Sequence, residues 1–225
     1  MTRKLWLFGL IVILGACVII VGVVMTRDTM NRETGLTKDI VTAWIQEHGV
    51  KKNDYYVDGL SFAEMNIDGD TEDEVLVRID GGVHLGDFFI FDKQAQDSYT
   101  LLFEQPWHVE SWRMENYQAE GIGPFLTIIT RTGGSGIDLR EAHLMYMSDS
   151  GVWIEAWQGV LKDRSAFQDN VTTTMGSYQF NDDTGELYYW QTEKVTSLEE
   201  NKQIGDATTS MTIFQLHQGK YVKKE

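Results

Sequence analysis

Three patterns of apolar and polar residues succeed one another along the chain. Leu5 through Met25 is an unbroken run of 21 residues with no charged or strongly polar side chain. At ~1.5 Å per residue a helix of that length reaches roughly 31 Å, matching a hydrocarbon core of ~30 Å. Leu36, Ile40, Ala43 and Trp44 then recur at helical spacing, with Lys38 and Glu47 off that stripe and Gly49 after His48 as a stop signal. The spacing predicts a helix over 37–48, with Trp44 packed in the core. Beyond residue 55 the period falls to two. Val75-Leu76-Val77-Arg78-Ile79, Phe88-Phe89-Ile90-Phe91 and Phe125-Leu126-Thr127-Ile128-Ile129 are β-branched and aromatic runs of strand length. Asp80-Gly81-Gly82 and Gly133-Gly134-Ser135-Gly136 separate such runs as turns. No second long helical stripe follows.

The later strands come as hairpins. Leu144-Met145-Tyr146-Met147 runs through Ser148-Asp149-Ser150-Gly151 into Val152-Trp153-Ile154. Tyr178-Gln179-Phe180 runs through Asn181 to Gly185 into Leu187-Tyr188-Tyr189-Trp190, and Ile213-Phe214-Gln215-Leu216 through His217 to Lys220 into Tyr221-Val222. Each is an aromatic strand, a short Gly-containing turn and a return strand. Tyr146, Phe180 and Phe214 are spaced by 34 residues twice, and Phe88 to Phe103 reads as an earlier copy with a longer turn. Both a true repeat and ordinary hairpin similarity fit this spacing. The expected fold is mainly β: an antiparallel hairpin meander, propeller-like, barrel or sandwich, preceded by one short helix and an N-terminal transmembrane helix.

Arg3 and Lys4 precede the apolar run, whereas Arg27, Asp28, Arg32 and Glu33 follow it with no net charge. That asymmetry keeps the N-terminus in the cytoplasm and places the C-terminus outside. The organisation is then a cytoplasmic tail (1–4), a transmembrane anchor (5–25), a linker (26–36) and an extracytoplasmic, mainly-β domain (37–225) in a single-pass protein of the cell membrane. A cleaved secretory signal has a shorter apolar core, about 7–15 residues, and here the run continues past Ala16. Leu14-Gly15-Ala16-Cys17 resembles a bacterial lipoprotein box, which implies lipidation of Cys17. Lipoproteins usually continue with small polar residues, whereas Val18 to Met25 is apolar throughout.

Cys17 is the only cysteine, so the exported part has no disulfide and no thiol nucleophile. Its length is enough to bury a core without such staples. With 19 Lys+Arg against 34 Asp+Glu the chain carries −15, and the part beyond Met25, without Arg3 and Lys4, carries −17. That balance argues against nucleic acid as a partner, because phosphates need a basic footprint. Exported, acidic and cysteine-free together suggest a bacterial surface protein. Its expected partners are the membrane, through Leu5–Met25, and a cell-wall or envelope protein.

The sharpest motif is Asn66-Ile67-Asp68-Gly69-Asp70-Thr71-Glu72-Asp73-Glu74-Val75. Oxygen-bearing side chains at alternate positions of a tight loop can converge on one hard cation, and calcium takes six to eight oxygens. The cation also relieves the mutual repulsion of the carboxylates. The stretch resembles the calcium loop of FG-GAP/VCBS-type repeats, roughly Asp-x-Asp-Gly-Asp-Gly-x-x-Glu-Val leading into a strand. The resemblance covers Glu64 to Ile79. It implies side-chain oxygens from Asn66, Asp68, Asp70 and Glu74 and the carbonyl of Glu72, around a structural calcium. Asn66 stands where the family prefers Asp, and Thr71 where it usually has Gly, which puts the loop's curvature in question. A second register would use Glu64, Asn66, Asp68 and Glu72, with Gly69 in the family's glycine slot. That family carries several copies around a propeller, and this chain shows one. A solvated acidic turn ahead of a strand is the alternative.

Catalytic constellations are absent from the motifs. The histidines at 48, 84, 108, 143 and 217 show no i, i+4 pair of a zinc helix. His108 and Glu110 place two potential ligands on one strand face without a third. No serine sits in a Gly-x-Ser-x-Gly elbow, and Gly134-Ser135-Gly136 reads as a hairpin turn. Acidic pairs such as Asp182-Asp183 and Glu199-Glu200 could serve a glycosidase, but are expected by chance in so acidic a chain. Trp107, Trp112, Trp153, Trp157 and Trp190 are read as core residues rather than a sugar-stacking row. The expected function is a membrane-tethered extracytoplasmic binding or scaffolding module, calcium-stabilised and without catalytic activity. The alternatives are a surface enzyme using carboxylates on the cell wall or glycans, and a lipoprotein component or sensor domain of an envelope complex.

Overall fold

A computed structural model describes residues 35–82, 85–94, 98–119 and 121–225. The chain divides into two units, 1–40 and 41–225, and of the first only 35–40 is described. The predicted membrane segment Leu5–Met25, Cys17 and His84 lie outside the described residues. Among the described residues no helix is long and apolar enough to cross a membrane.

Helix α1 spans Lys38–His48, as its periodicity predicts. Thr37 Oγ1 accepts the Ile40 N–H at 3.4 Å at its start, and the Gly49 N–H closes on Ile45 O at 2.8 Å at its end. A Cβ at Gly49 would lie 2.6 Å from Ile45 O and from the Tyr55 hydroxyl, so the chain can turn there only with glycine. The buried face differs from the predicted stripe by one position. Val41 and Ile45 are fully buried and Trp44 half-buried, whereas Ile40 and Ala43 are exposed. Positions 41, 44 and 45 share one side of the helix, and Trp44 fixes which side by stacking on Tyr99, 4.1 Å between centroids.

All strands are antiparallel, in two sequential meanders. The first sheet is β1 (Leu60–Met65), β2 (Glu74–Asp80), β3 (Gly86–Gln94) and β4 (Ser98–Gln105). The second has eight strands: β5 (Val109–Met114), β6 (Leu126–Gly134), β7 (Ile137–Met147), β8 (Trp153–Phe167), β9 (Asn170–Asn181), β10 (Glu186–Ser197), β11 (Gln203–His217) and β12 (Lys220–Lys223). The mainly-β expectation holds. Of the proposed arrangements the closed barrel does not: β12 pairs only with β11, β5 only with β6, and both sheets stay open among the described residues.

The apolar runs of β2 and β3 are continuous because both faces of the first sheet are covered. Val77, Phe89 and Phe91 are buried on one face, where Tyr55 meets Phe89 edge-on and Trp44 meets Phe91. On the other face Leu76, Phe88 and Ile90 pack against Val109, Leu126, Ile128 and Met145 of the second sheet. Arg78 clamps the two layers by donating from Nη1 to the carbonyls of Val109 and Glu110, at 3.1 and 2.6 Å. A second core lies on the opposite face of the larger sheet, where Phe125, Leu144, Tyr146, Trp157, Leu187 and Tyr221 form one cluster.

The spacing of Tyr146, Phe180 and Phe214 has a structural counterpart. They sit near the ends of β7, β9 and β11, one hairpin apart, and contribute to this same cluster. Phe88 and Phe103 are diagonal neighbours across the β3–β4 hairpin of the other sheet, their rings meeting edge-on at 6.3 Å. None of Trp107, Trp112, Trp153, Trp157 and Trp190 is exposed, so they form no open aromatic row.

Candidate metal centre

The acidic motif is the connection between β1 and β2. Its curvature comes at Gly69, whose φ of +88° suits only glycine well, so Thr71 needs no special conformation. Short polar side chains then wind the loop around themselves. Asn66 Oδ1 accepts the Gly69 N–H at 2.8 Å while its Nδ2 donates to Asp70 O. Asp68 Oδ1 accepts the Asp70 N–H at 3.0 Å, and Asp70 Oδ1 the Glu72 N–H at 2.7 Å. These are turns that Asn and Asp form with their own backbone. Pro124 lies 3.7 Å from where a Gly69 side chain would start, so the loop is backed by the segment leading into β6.

Glu74, the first residue of β2, is fully buried. Its Oε2 accepts the Ile67 N–H at 2.7 Å, and its Oε1 is buried with no hydrogen-bond partner. Ligand oxygens of Asp68, Asp70 and Glu74 lie within 4.8 Å of one another. Burial pushes the Glu74 carboxyl up to about 7, and the charges of Asp68 and Asp70 push the same way, against the Ile67 N–H. Asp92 on β3 is also raised, first by burial and then by Asp68 and Asp70. An oxygen without a donor, beside two carboxylates, is the environment a hard cation completes.

Of the five residues proposed from the sequence, the fold therefore brings three carboxylates together. Asn66 holds the loop's shape beside them. The Glu72 side chain turns away to pair with Lys93 at 3.1 Å. Glu64 lies within β1 opposite Val75, so the cluster is that of the register ending in Glu74. His108 and Glu110 have different neighbours: His108 Nε2 lies 3.4 Å from Asp80, and Glu110 holds Arg140 and Arg131.

A second polar grouping had no motif to announce it. His143 is buried on β7, with Nδ1 2.6 Å from Glu155 Oε1, Nε2 3.0 Å from Thr130 Oγ1, and Trp107 stacked on its ring at 4.2 Å. These residues come from three neighbouring strands and a connection, and only the pairing register joins them. Compared with known protein families, curated proteins and solved structures, the chain matches none.

Proposed function

We propose that this chain is a membrane-tethered extracytoplasmic module that binds or scaffolds, is stabilised by calcium in the 66–74 loop, and has no catalytic activity of its own. The observation that carries the calcium reading is Glu74: a fully buried carboxylate with one unpartnered oxygen, beside Asp68 and Asp70. The loop's resemblance to FG-GAP/VCBS calcium loops points the same way, and Gly69 supplies the bend that Thr71 cannot. Asp68, Asp70 and Glu74 would hold the ion, with Asn66 and the Glu72 carbonyl completing the set. Calcium there would be structural, tying the start of β2 to the end of β1 and offsetting charges that otherwise repel.

The tether rests on Leu5–Met25, 21 apolar residues with cations only on the N-terminal side. The architecture this reading favours is an open two-layer arrangement, closer to a sandwich than to a propeller, with its partner an envelope or cell-wall component. The deciding experiment is the melting temperature of the full-length protein with millimolar calcium and with chelator. A calcium-dependent rise abolished by Asp68→Ala supports the module as described, and equal melting temperatures reduce the loop to a solvated acidic turn.

A further inference from the structure

A cavity of about 260 Å³ opens on the face of the larger sheet that looks toward the smaller one, beside the connection from β4 to β5. That is slightly below the roughly 300–1,000 Å³ of pockets for drug-sized ligands, so it admits one functional group on a short stem. Glu141, His143 and Glu155 line its floor from β7 and β8, and Trp107 and His108 its rim. The rim is held close by Gly86, where a Cβ would lie 2.7 Å from His108 Cα, and by the Arg131 N–H donating to His108 O at 2.9 Å.

The charge lining this cavity is one-sided. His143 is consumed by Glu155 and Thr130, and it offers a ligand nothing. Glu141 Oε1 accepts from Gln158 Nε2 at 2.8 Å, and Glu155 Oε1 is engaged with His143. The second oxygen of each carboxylate has no hydrogen-bond donor among the described residues. His108 Nδ1 is buried without a partner, and its Nε2 lies 3.4 Å from Asp80. No Lys or Arg lines the cavity. The other polar side chains around them, Thr130, Thr132 and Gln158, are neutral, so two carboxylates face a small space with no Lys or Arg to balance them.

We propose that this cavity binds the ammonium group of a small primary amine. An ammonium brings three N–H donors, no acceptor and one positive charge, which is the complement of the Glu141 and Glu155 carboxylates. An anion would meet two carboxylates, and a neutral hydroxyl would leave their charge unbalanced. The site is separate from the 66–74 loop and does not depend on calcium there.

The test is titration of the full-length protein with ethylammonium by calorimetry at low ionic strength, in chelator, with glucose and acetate run alongside. Saturable one-to-one binding of ethylammonium alone is expected, weakening as salt is added. Glu141→Gln and Glu155→Gln, each preserving shape, should weaken it about ten-fold or more, the usual cost of losing a hydrogen bond to a charged group. Should Glu155→Gln disturb the fold through His143, Glu141→Gln carries the test by itself, its melting temperature being unchanged. Absence of saturation, binding indifferent to Glu141→Gln, or glucose or acetate binding in place of the amine overturns the proposal. Because the titration is done without calcium, its failure is distinguishable from failure of the metal site.

Discussion

Glu74 reaches back across its own loop to accept the Ile67 N–H at 2.7 Å, and this bond joins the start of β2 to the exit of β1. Fully buried Ile67 packs with Leu76, Phe88 and Ile90, so the loop is anchored in the core that joins the two sheets. The bond satisfies one carboxylate oxygen and leaves the other buried beside Asp68 and Asp70. An ion held by the loop would therefore act on the stability of the inter-sheet core.

Calcium should raise the melting temperature. Extracellular modules bind it with dissociation constants of about 10⁻⁴–10⁻³ M. At about ten times the dissociation constant, linkage adds about 1.4 kcal/mol, a few degrees for a domain of this size. Asp68→Ala and Glu74→Gln should remove the shift, and Glu64→Ala should keep it. Loss of the shift in Glu64→Ala with retention in Glu74→Gln would establish the other register. Magnesium should do less, because it demands a smaller octahedral shell and holds its water.

The calcium-free protein should lose stability as pH rises from about 4.5 to about 7. Glu74 keeps its proton up to about 7 in the folded state, against 4.5 ordinarily, because burial penalises its charge. Between those values the native state binds a proton that the unfolded chain has released, so stability is full below the window and lost across it. The loss is at most about 3 kcal/mol. Calcium favours the ionised form, so the calcium-dependent shift should grow over the same range. Thermal melts against pH, with Glu74→Gln as control, read both effects. A wild-type slope matching that of Glu74→Gln would show that this group ionises normally.

Gly86→Ala should destabilise the domain by about 1–3 kcal/mol, the usual cost of overpacking. The new methyl would meet backbone on three sides, at His108 Cα (2.7 Å), Ile79 O and Trp107 O (both 2.9 Å), and no flexible side chain is there to give way. Denaturant melts measure it, and a neutral result would mean that the connection to β5 packs more loosely than described.

Phe125→Ala should cost about 3–5 kcal/mol. The ring is fully buried just before β6, among Tyr146, Phe180 and Tyr221 at 5.7, 6.0 and 6.2 Å. Phe167→Ala, at a side chain 76% exposed, should stay within about 0.5 kcal/mol. Comparable losses in denaturant melts of the two variants would contradict the placement of the second core.

Protease added to intact cells should remove most of the chain, and a reporter fused to the C-terminus should be active outside the membrane. A cytoplasmic reporter signal would rule out the tether. Mass spectrometry finding a lipid on Cys17 as the first residue would replace the helix with a lipid anchor.

Local chemistry was legible in the sequence wherever neighbouring residues decide the outcome. Period-two runs of β-branched and aromatic residues marked β2, β3 and β6, glycine turns marked the hairpins, and the span of α1 followed from its spacing and from Gly49, because propensity and turn geometry act over a few residues. The acidic loop was visible for the same reason, its carboxylates lying within a few residues of one another. Which face of α1 is buried was decided by Tyr99 and Phe91, strands away, and the predicted stripe missed it by one position. That Glu74 rather than Glu64 joins Asp68 and Asp70 depends on where β1 ends and β2 begins. The partition of the meander into two open sheets came from packing Leu76 and Phe88 against Ile128 and Met145, contacts no short window contains. The cavity is the extreme case. Thr130, Glu141, His143 and Glu155 are unremarkable on their own strands and become a site only because the antiparallel registers of β6, β7 and β8 set Ile128 opposite His143 and Met145 opposite Glu155. Registers of that kind are fixed by burial of a whole face, which is a property of the assembled sheet and not of any segment.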